Sequence, residues 1–197
     1  MPAGFPAWDR VYAFFRRWRD HRLIAEFHDR LRGRVRESEG RDTEPTAAIV
    51  DSQSVKAASS VPAATRGFDG AKNINGRKRH LIVDCLGMLP RLLARHRRIR
   101  LVWADGGYAG RLVDWARDKL RLALQVVKRS DDTRGFIVLP RRWCVERTLG
   151  WLMRTRRLAR DYEMRPATSE AVLQWSMAML MGRRLARGRL TPPGTAG

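Results

Sequence analysis

Lysine is scarce in this chain: of 40 basic residues only five are lysine, and the remainder are arginine. Acidic residues are scarce too, 20 against those 40, which leaves a formal net charge of +20 and a pI near 11.6. Such a balance makes the chain adhere to polyanions and puts nucleic acid first among partner classes. The arginine excess suits bidentate phosphate contact, but a codon bias toward arginine gives the same ratio, so only the total charge is weighed. Cysteine is limited to Cys85 and Cys144. They lack the paired spacing of a zinc or redox motif, which points to buried thiols in a reducing compartment. No apolar run approaches the length of a membrane span, and Met1-Pro-Ala-Gly-Phe-Pro lacks the regions of a signal peptide. A cytoplasmic, nucleoid-associated protein with no membrane partner is expected.

With 197 residues and 44% hydrophobic content, the chain has material for one ordinary core. Trp8, Val11, Tyr12, Phe15 and Trp18, then Leu23, Ile24, Phe27, Leu31 and Val35, recur at helical spacing and predict a helical hairpin with arginine on its outer faces. DNA contact and a plain solvated face weigh equally for those arginines. Residues 37–46 read as a linker. Ala47-Ala-Ile-Val-Asp51 reads as a short core strand delivering Asp51 to its end, although a lone Val-Asp-Ser is more often an ordinary turn.

Residues 57–75 form a long loop, residues 73–76 a turn, and residues 79–85 a second strand pairing with the first as a wide hairpin. Lys56, Lys72, Arg77, Lys78 and Arg79 would then overhang the sheet end where Asp51 emerges, in a position to grip a phosphate backbone. A turn at 87–90 and a short helix over 91–98 lead to a strand, 100–104, that ends in Asp105-Gly106-Gly107. Glycines directly after a carboxylate leave room for a ligand to approach. Further on, the pattern predicts a helix over 109–120, a strand over 122–127, a polar loop over 130–135, and a long helix over 141–160. Arg142 and Glu146 project from one face of that helix. A last helix over 168–185 has Thr168 as its cap, and 187–197 reads as a disordered tail.

Two acids at strand ends and one on a late helix fit an α/β, ribonuclease-H-like plan: a mixed sheet with flanking helices, preceded by the helical hairpin. The chain also resembles a family, the DDE transposases of bacterial insertion sequences, in the group named after insertion element five. The resemblance rests on Ala48-Ile-Val-Asp-Ser-Gln-Ser-Val-Lys56, residues 67–79, Val102-Trp-Ala-Asp-Gly-Gly-Tyr-Ala-Gly110 and Arg141-Arg-Trp-Cys-Val-Glu-Arg-Thr-Leu-Gly-Trp-Leu152.

By that similarity Asp51, Asp105 and Glu146 form the catalytic, metal-holding triad, and Tyr108 and Arg142 position it. Met153 stands where some relatives have a basic residue, with Arg154 beside it. The resemblance implies two Mg2+ (or Mn2+) ions about 4 Å apart, double-stranded DNA (element ends and target) as substrate, and a homodimer when active. Relatives begin upstream of Met1 and carry a third strand and most of a helix near residues 90–94. Truncation at both places, with a missing edge strand, is therefore expected. The implied division is a helical segment over 1–44 that forms part of a DNA-binding region, a catalytic domain over 45–186, and a tail over 187–197. The alternative is a catalytically inactive DNA-binding remnant of a transposase. An RNA-associated basic protein is disfavoured, because it gives no reason for acids at strand ends.

Overall fold

The structure, a computed structural model, describes residues 4–87, 96–127 and 143–190, with side chains to residue 187. Its centre is a mixed five-stranded sheet in the order β2-β3-β1-β4-β5, with β1 Ala47–Lys56, β2 Phe68–Asp69, β3 Ile74–Val83, β4 Leu101–Ala104 and β5 Ala123–Val126. β1 and β3 pair antiparallel from Ile49↔Val83 to Lys56↔Gly76. β1 and β4 run parallel from Ala47↔Leu101 to Val50↔Ala104, and β5 extends the parallel half. Parallel neighbours need a crossover, and the helix α3, Arg111–Leu120, supplies it between β4 and β5. This mixed α/β layout is compatible with the expected ribonuclease-H-like plan.

Side chains alternate between the two faces of a strand, and the core divides accordingly. Ala48, Val50, Val102 and Ala104 pack on one face with Ile99 and Leu122. On the other, Ile49 and Val83 meet Cys144 and Val145 of the helix α4, Trp143–Met153. Leu81 continues that face toward Leu152, Leu158, Leu173 and Met177, the last two on α5, Pro166–Leu190. The expected hairpin is present as α1, Trp8–Asp20, and α2, Leu23–Ser38. α2 lies along α5, where the rings of Phe27 and Trp18 pack tilted against Trp175, with centroids 6.1 and 5.7 Å away.

Several boundaries differ from expectation. β1 continues five residues past Asp51, because Ser52–Lys56 find partners along β3. The turn expected at 73–76 lies earlier, and Gly76 sits inside β3, where a Cβ would come within 2.0 Å of the Val55 carbonyl oxygen. α4 stops at Met153 instead of reaching Arg160. The chain leaves the helix so that Leu158 enters the core and Asp161 docks beside β1, its N–H donating to Lys56 O at 3.0 Å and its carbonyl accepting from Ala58 N at 2.8 Å. Thr168 does not cap α5: Pro166 occupies the first position, where its missing N–H costs nothing, and the Thr168 hydroxyl accepts from Arg19 at 2.7 Å. α5 also runs to Leu190, into the expected tail. At the edge where a strand was expected to be missing, β2 pairs with β3 only at Phe68↔Asn75 and Asp69↔Ile74. The turn at 87–90, the short helix over 91–98 and the loop at 130–135 fall wholly or mostly outside the described residues.

The helical hairpin is tied to the sheet by a buried ion pair. Arg36 of α2 reaches Asp84, just past β3, at 2.5 Å, and both are nearly inaccessible. Asp84 also accepts from the N–H groups of Leu86 and Gly87, at 2.7 and 2.8 Å. Removing one partner would strand a buried charge, so Arg36→Met is expected to lower unfolding free energy by about 3–5 kcal/mol in urea titrations.

A second buried group adds a pH dependence. His28 is fully buried, neither ring nitrogen has a hydrogen-bond partner, and burial depresses its pKa from 6.5 to about 4. The unfolded chain therefore binds the proton first. The neutral ring's contribution is complete above about pH 6.5 and is lost as pH falls toward 4. The difference is on the order of 3 kcal/mol. His28→Leu is expected to flatten this acid limb when denaturation midpoints are compared at pH 7 and pH 5.

Candidate functional site

The register of β1 against β4 decides what stands at the end of the parallel ladder. Val50 and Ala104 are the last paired residues. The next residues along these adjacent strands are Asp51 and Asp105, emerging from backbones about 4.8 Å apart. Asp51 shares the face of Ile49 and its partner Leu81. The backbone at Asp105 is still extended, with φ −79° and ψ 176°, so alternation carries its side chain to the face of Trp103, which is also that of Ile49. The two carboxylates therefore leave neighbouring strands toward the same side.

Their surroundings differ. Asp51 is 8% exposed and accepts from the N–H of Ser52 at 2.7 Å. Asp105 caps the short turn Gly106–Tyr108 by accepting from Gly107 N at 3.0 Å. A Cβ on Gly107 would lie 3.2 Å from that same carboxylate oxygen, a tight contact that favours glycine two residues beyond the acid. Asp51 is thus a mid-strand residue and not a strand-end one. It lies at the end of the parallel pairing because β4 stops there and β3 does not.

Tyr108 ends the turn that Asp105 begins. It packs against the Val50 and Ala104 face, and its hydroxyl is in hydrogen-bond contact with His80 Nδ1 at 2.7 Å. Burial, then the negative charges of Asp51 and Asp105, push its pKa up to about 12. The phenol therefore stays protonated through the neutral range, a neutral hydrogen-bonding group that packs on the Val50 and Ala104 face and still feels the charge of both carboxylates.

The third expected acid is placed differently. Glu146 lies in the first turn of α4 and is exposed. The helix buries Cys144, Val145, Thr148 and Leu152. A residue one step beyond Val145 is rotated about 100° around the helix axis. Among the described residues, no group of three or more His, Cys, Asp and Glu side chains forms a metal-holding cluster. The Asp51 and Asp105 pair has the oxygen-donor chemistry that a hard divalent cation takes, with water completing the shell. Among the described residues a two-ion ligand set is not assembled. Arg142 lies outside the described residues, and Arg154 is exposed just beyond the end of α4.

Of the basic residues expected to contact DNA, Lys56, Lys72 and Lys78 are exposed. The other two turn inward, because they lie on the face of β3 that the segment after α4 covers. Arg79 is 6% exposed and donates to Leu158 O at 2.6 Å. Half-buried Arg77 pairs with Asp161 at 3.4 Å and donates to Glu163 O at 3.0 Å. Sequence reasoning missed Arg147, whose guanidinium lies 4.3 Å from the Trp143 ring and 4.7 Å from the Trp151 ring and donates to Cys85 O at 2.6 Å. It fixes the first turn of α4 against the end of β3. Two tryptophans four residues to either side of an arginine on one helix are the signal that could have found it.

Because burial raises the Tyr108 pKa most, followed by the charges of Asp51 and Asp105, Asp105→Asn should move its titration midpoint only part of the way from about 12 toward the ordinary 10. Ring-carbon NMR, with Tyr108→Phe identifying the signal among the three tyrosines, measures this.

Compared with known proteins, residues 86–181 match the family described as Transposase DDE domain. The matched span holds Asp105, Tyr108 and Glu146 and begins after Asp51. No curated protein and no solved structure matches the chain.

Proposed function

We propose that this chain is a transposase of the insertion-sequence type, a divalent-metal-dependent enzyme that cleaves DNA strands and transfers them to a target. Asp51, Asp105 and Glu146 are its carboxylates. The observation that carries the reading is the pair Asp51 and Asp105, side by side where the parallel ladder ends, on the face that α4 covers. The family match over residues 86–181 supports the same reading.

Phosphodiester chemistry demands stabilisation of negative charge on the attacked phosphate, and a carboxylate by itself repels that charge. Two adjacent carboxylates in a chain of net charge +20 are therefore poor groups for touching DNA directly and good ones for holding cations against it. When bound, magnesium or manganese supplies Lewis-acid stabilisation and a more acidic attacking hydroxyl. The chain itself supplies position. Gly107 N and Ser52 N hold one oxygen each of Asp105 and Asp51, and Tyr108 stays protonated beside them. Exposed Lys78 and Lys56 lie opposite and beyond Ser54 on the same pair of strands. Lys56 is about 17 Å along β1 from Asp51 at the usual rise per residue, which suits backbone contacts flanking the cleavage point. Glu146 completes the carboxylate set on the substrate-bound enzyme.

The test is nicking of a supercoiled plasmid or a duplex carrying the element's own ends, with magnesium, manganese or chelator. Cleavage is expected with either metal, and loss to background in Asp51→Asn, Asp105→Asn and Glu146→Gln, while duplex retention in gel shifts is unchanged. Binding without any metal-dependent cleavage by the unsubstituted chain would replace this reading with that of an inactive DNA-binding remnant.

A further inference from the structure

The chain has two cysteines, 59 positions apart in sequence (144 − 85), and the fold brings them to one place. Cys144 is buried in the first turn of α4, within the cluster formed with Ile49, Val83 and Val145. Half-buried Cys85 follows Asp84 just past β3 and packs against that same cluster. Both line one groove of about 330 Å³ between α2, the sheet and α4, and the two are close enough for the charge of one to act on the other. Arg147 joins the two elements, stacking on α4's own tryptophans while donating to the Cys85 carbonyl at 2.6 Å. Nothing in the proposed cleavage chemistry uses either thiol.

We propose that Cys85 and Cys144 form a reversible intramolecular disulfide, a redox-controlled staple between the end of β3 and the first turn of α4. The groove gives the pair a direction of reaction. Cys85, the more exposed thiol, is the entry point, and its thiolate attacks one sulfur of a low-molecular-weight disulfide such as oxidised glutathione. That S–S bond breaks, one glutathione thiol leaves, and Cys85 holds the other as a mixed disulfide. Cys144 then attacks the Cys85 sulfur, the mixed disulfide breaks, and the second glutathione thiol leaves. Two protein thiols have been oxidised and one external disulfide reduced. In a reducing compartment such a bond is transient and regulatory. The stapled turn carries Glu146 two residues beyond Cys144, so oxidation fixes the one carboxylate that stands apart from Asp51 and Asp105. The disulfide itself does not depend on the proposed cleavage activity.

The full-length reduced protein is equilibrated with oxidised glutathione, its remaining thiols are alkylated, and intact mass and non-reducing gels are read. The expected product is a monomer two hydrogens lighter than the reduced chain, with no alkylated cysteine and a linked peptide pair containing Cys85 and Cys144. Its thermal midpoint should rise by several degrees, fall back with dithiothreitol, and be unresponsive to oxidant in Cys85→Ser and in Cys144→Ser. A glutathione adduct that persists on Cys85, two thiols still alkylated, or disulfide-linked dimers as the only oxidised species would each overturn the proposal.

Discussion

A single register, Val50 opposite Ala104, fixes what the sheet can do. Side chains along a strand repeat every two residues, so sliding β4 by one position would move Asp105 to the opposite face from Asp51. The register is held from both sides of the sheet. Ala48, Val50, Val102 and Ala104 need the face closed by Ile99 and Leu122, while Ile49 needs the face closed by Cys144 and Val145. A slip would expose one set and bury a carboxylate in place of the other. The apolar packing therefore selects the arrangement in which two acids emerge together, and the electrostatic cost of pairing them is borne by the core and not relieved by it.

Arginine has a larger structural share than its abundance on so basic a chain suggests. Arg32, Arg36, Arg66, Arg79, Arg147 and Arg184 each donate to a backbone carbonyl elsewhere in the fold. A guanidinium offers five donors in a rigid fork, so one side chain clamps a carbonyl while also meeting an acid or an aromatic ring. Arg36 does both, with Asp42 O at one end and Asp84 at the other. The net charge of +20 thus overstates the positive surface that faces solvent, since several of its carriers are consumed in holding loops. The lysines at 56, 72 and 78 are few, but all are exposed.

Periodicity and turn residues in the sequence were enough to read the helical hairpin, the antiparallel pairing of the first two core strands and the turn at Asp105, because these depend on local pattern. Residues set by distant packing were less legible. Arg79 reads as a loop-end cation beside Lys78, yet β3 begins at Ile74, and period two then sends residue 79 to the buried face with Leu81. Asp51 reads as the end of a strand because apolar residues stop there. The strand continues on hydrogen bonds to β3, which leave no trace in hydrophobicity. Thr168 has the chemistry of a cap, but Pro166 starts the helix and Arg19 takes the hydroxyl. That the two cysteines lie in one cluster could not be read from their spacing, since only the packing of α4 on β3 brings them there.

Glu146 is where helix geometry and the expected chemistry pull apart. α4 docks through residues 144, 145, 148 and 152, a stripe set by the apolar pattern itself. At about 100° per residue, a helix that buries 145 and 148 turns 146 toward its flank. The carboxylate cannot face Asp51 and Asp105 while that stripe is fully seated, so a three-carboxylate site requires α4 to roll or slide against Ile49 and Val83. Such a movement is resisted by Arg147, which is held by two tryptophans and the Cys85 carbonyl. The cations and phosphate backbone of the proposed function, concentrated at the ladder's end, would provide a differential interaction that favours the rolled position. If Glu146 is the third carboxylate of the proposed site, it arrives there with the DNA, and the contacts that keep it away beforehand are the same ones that hold the helix on the sheet.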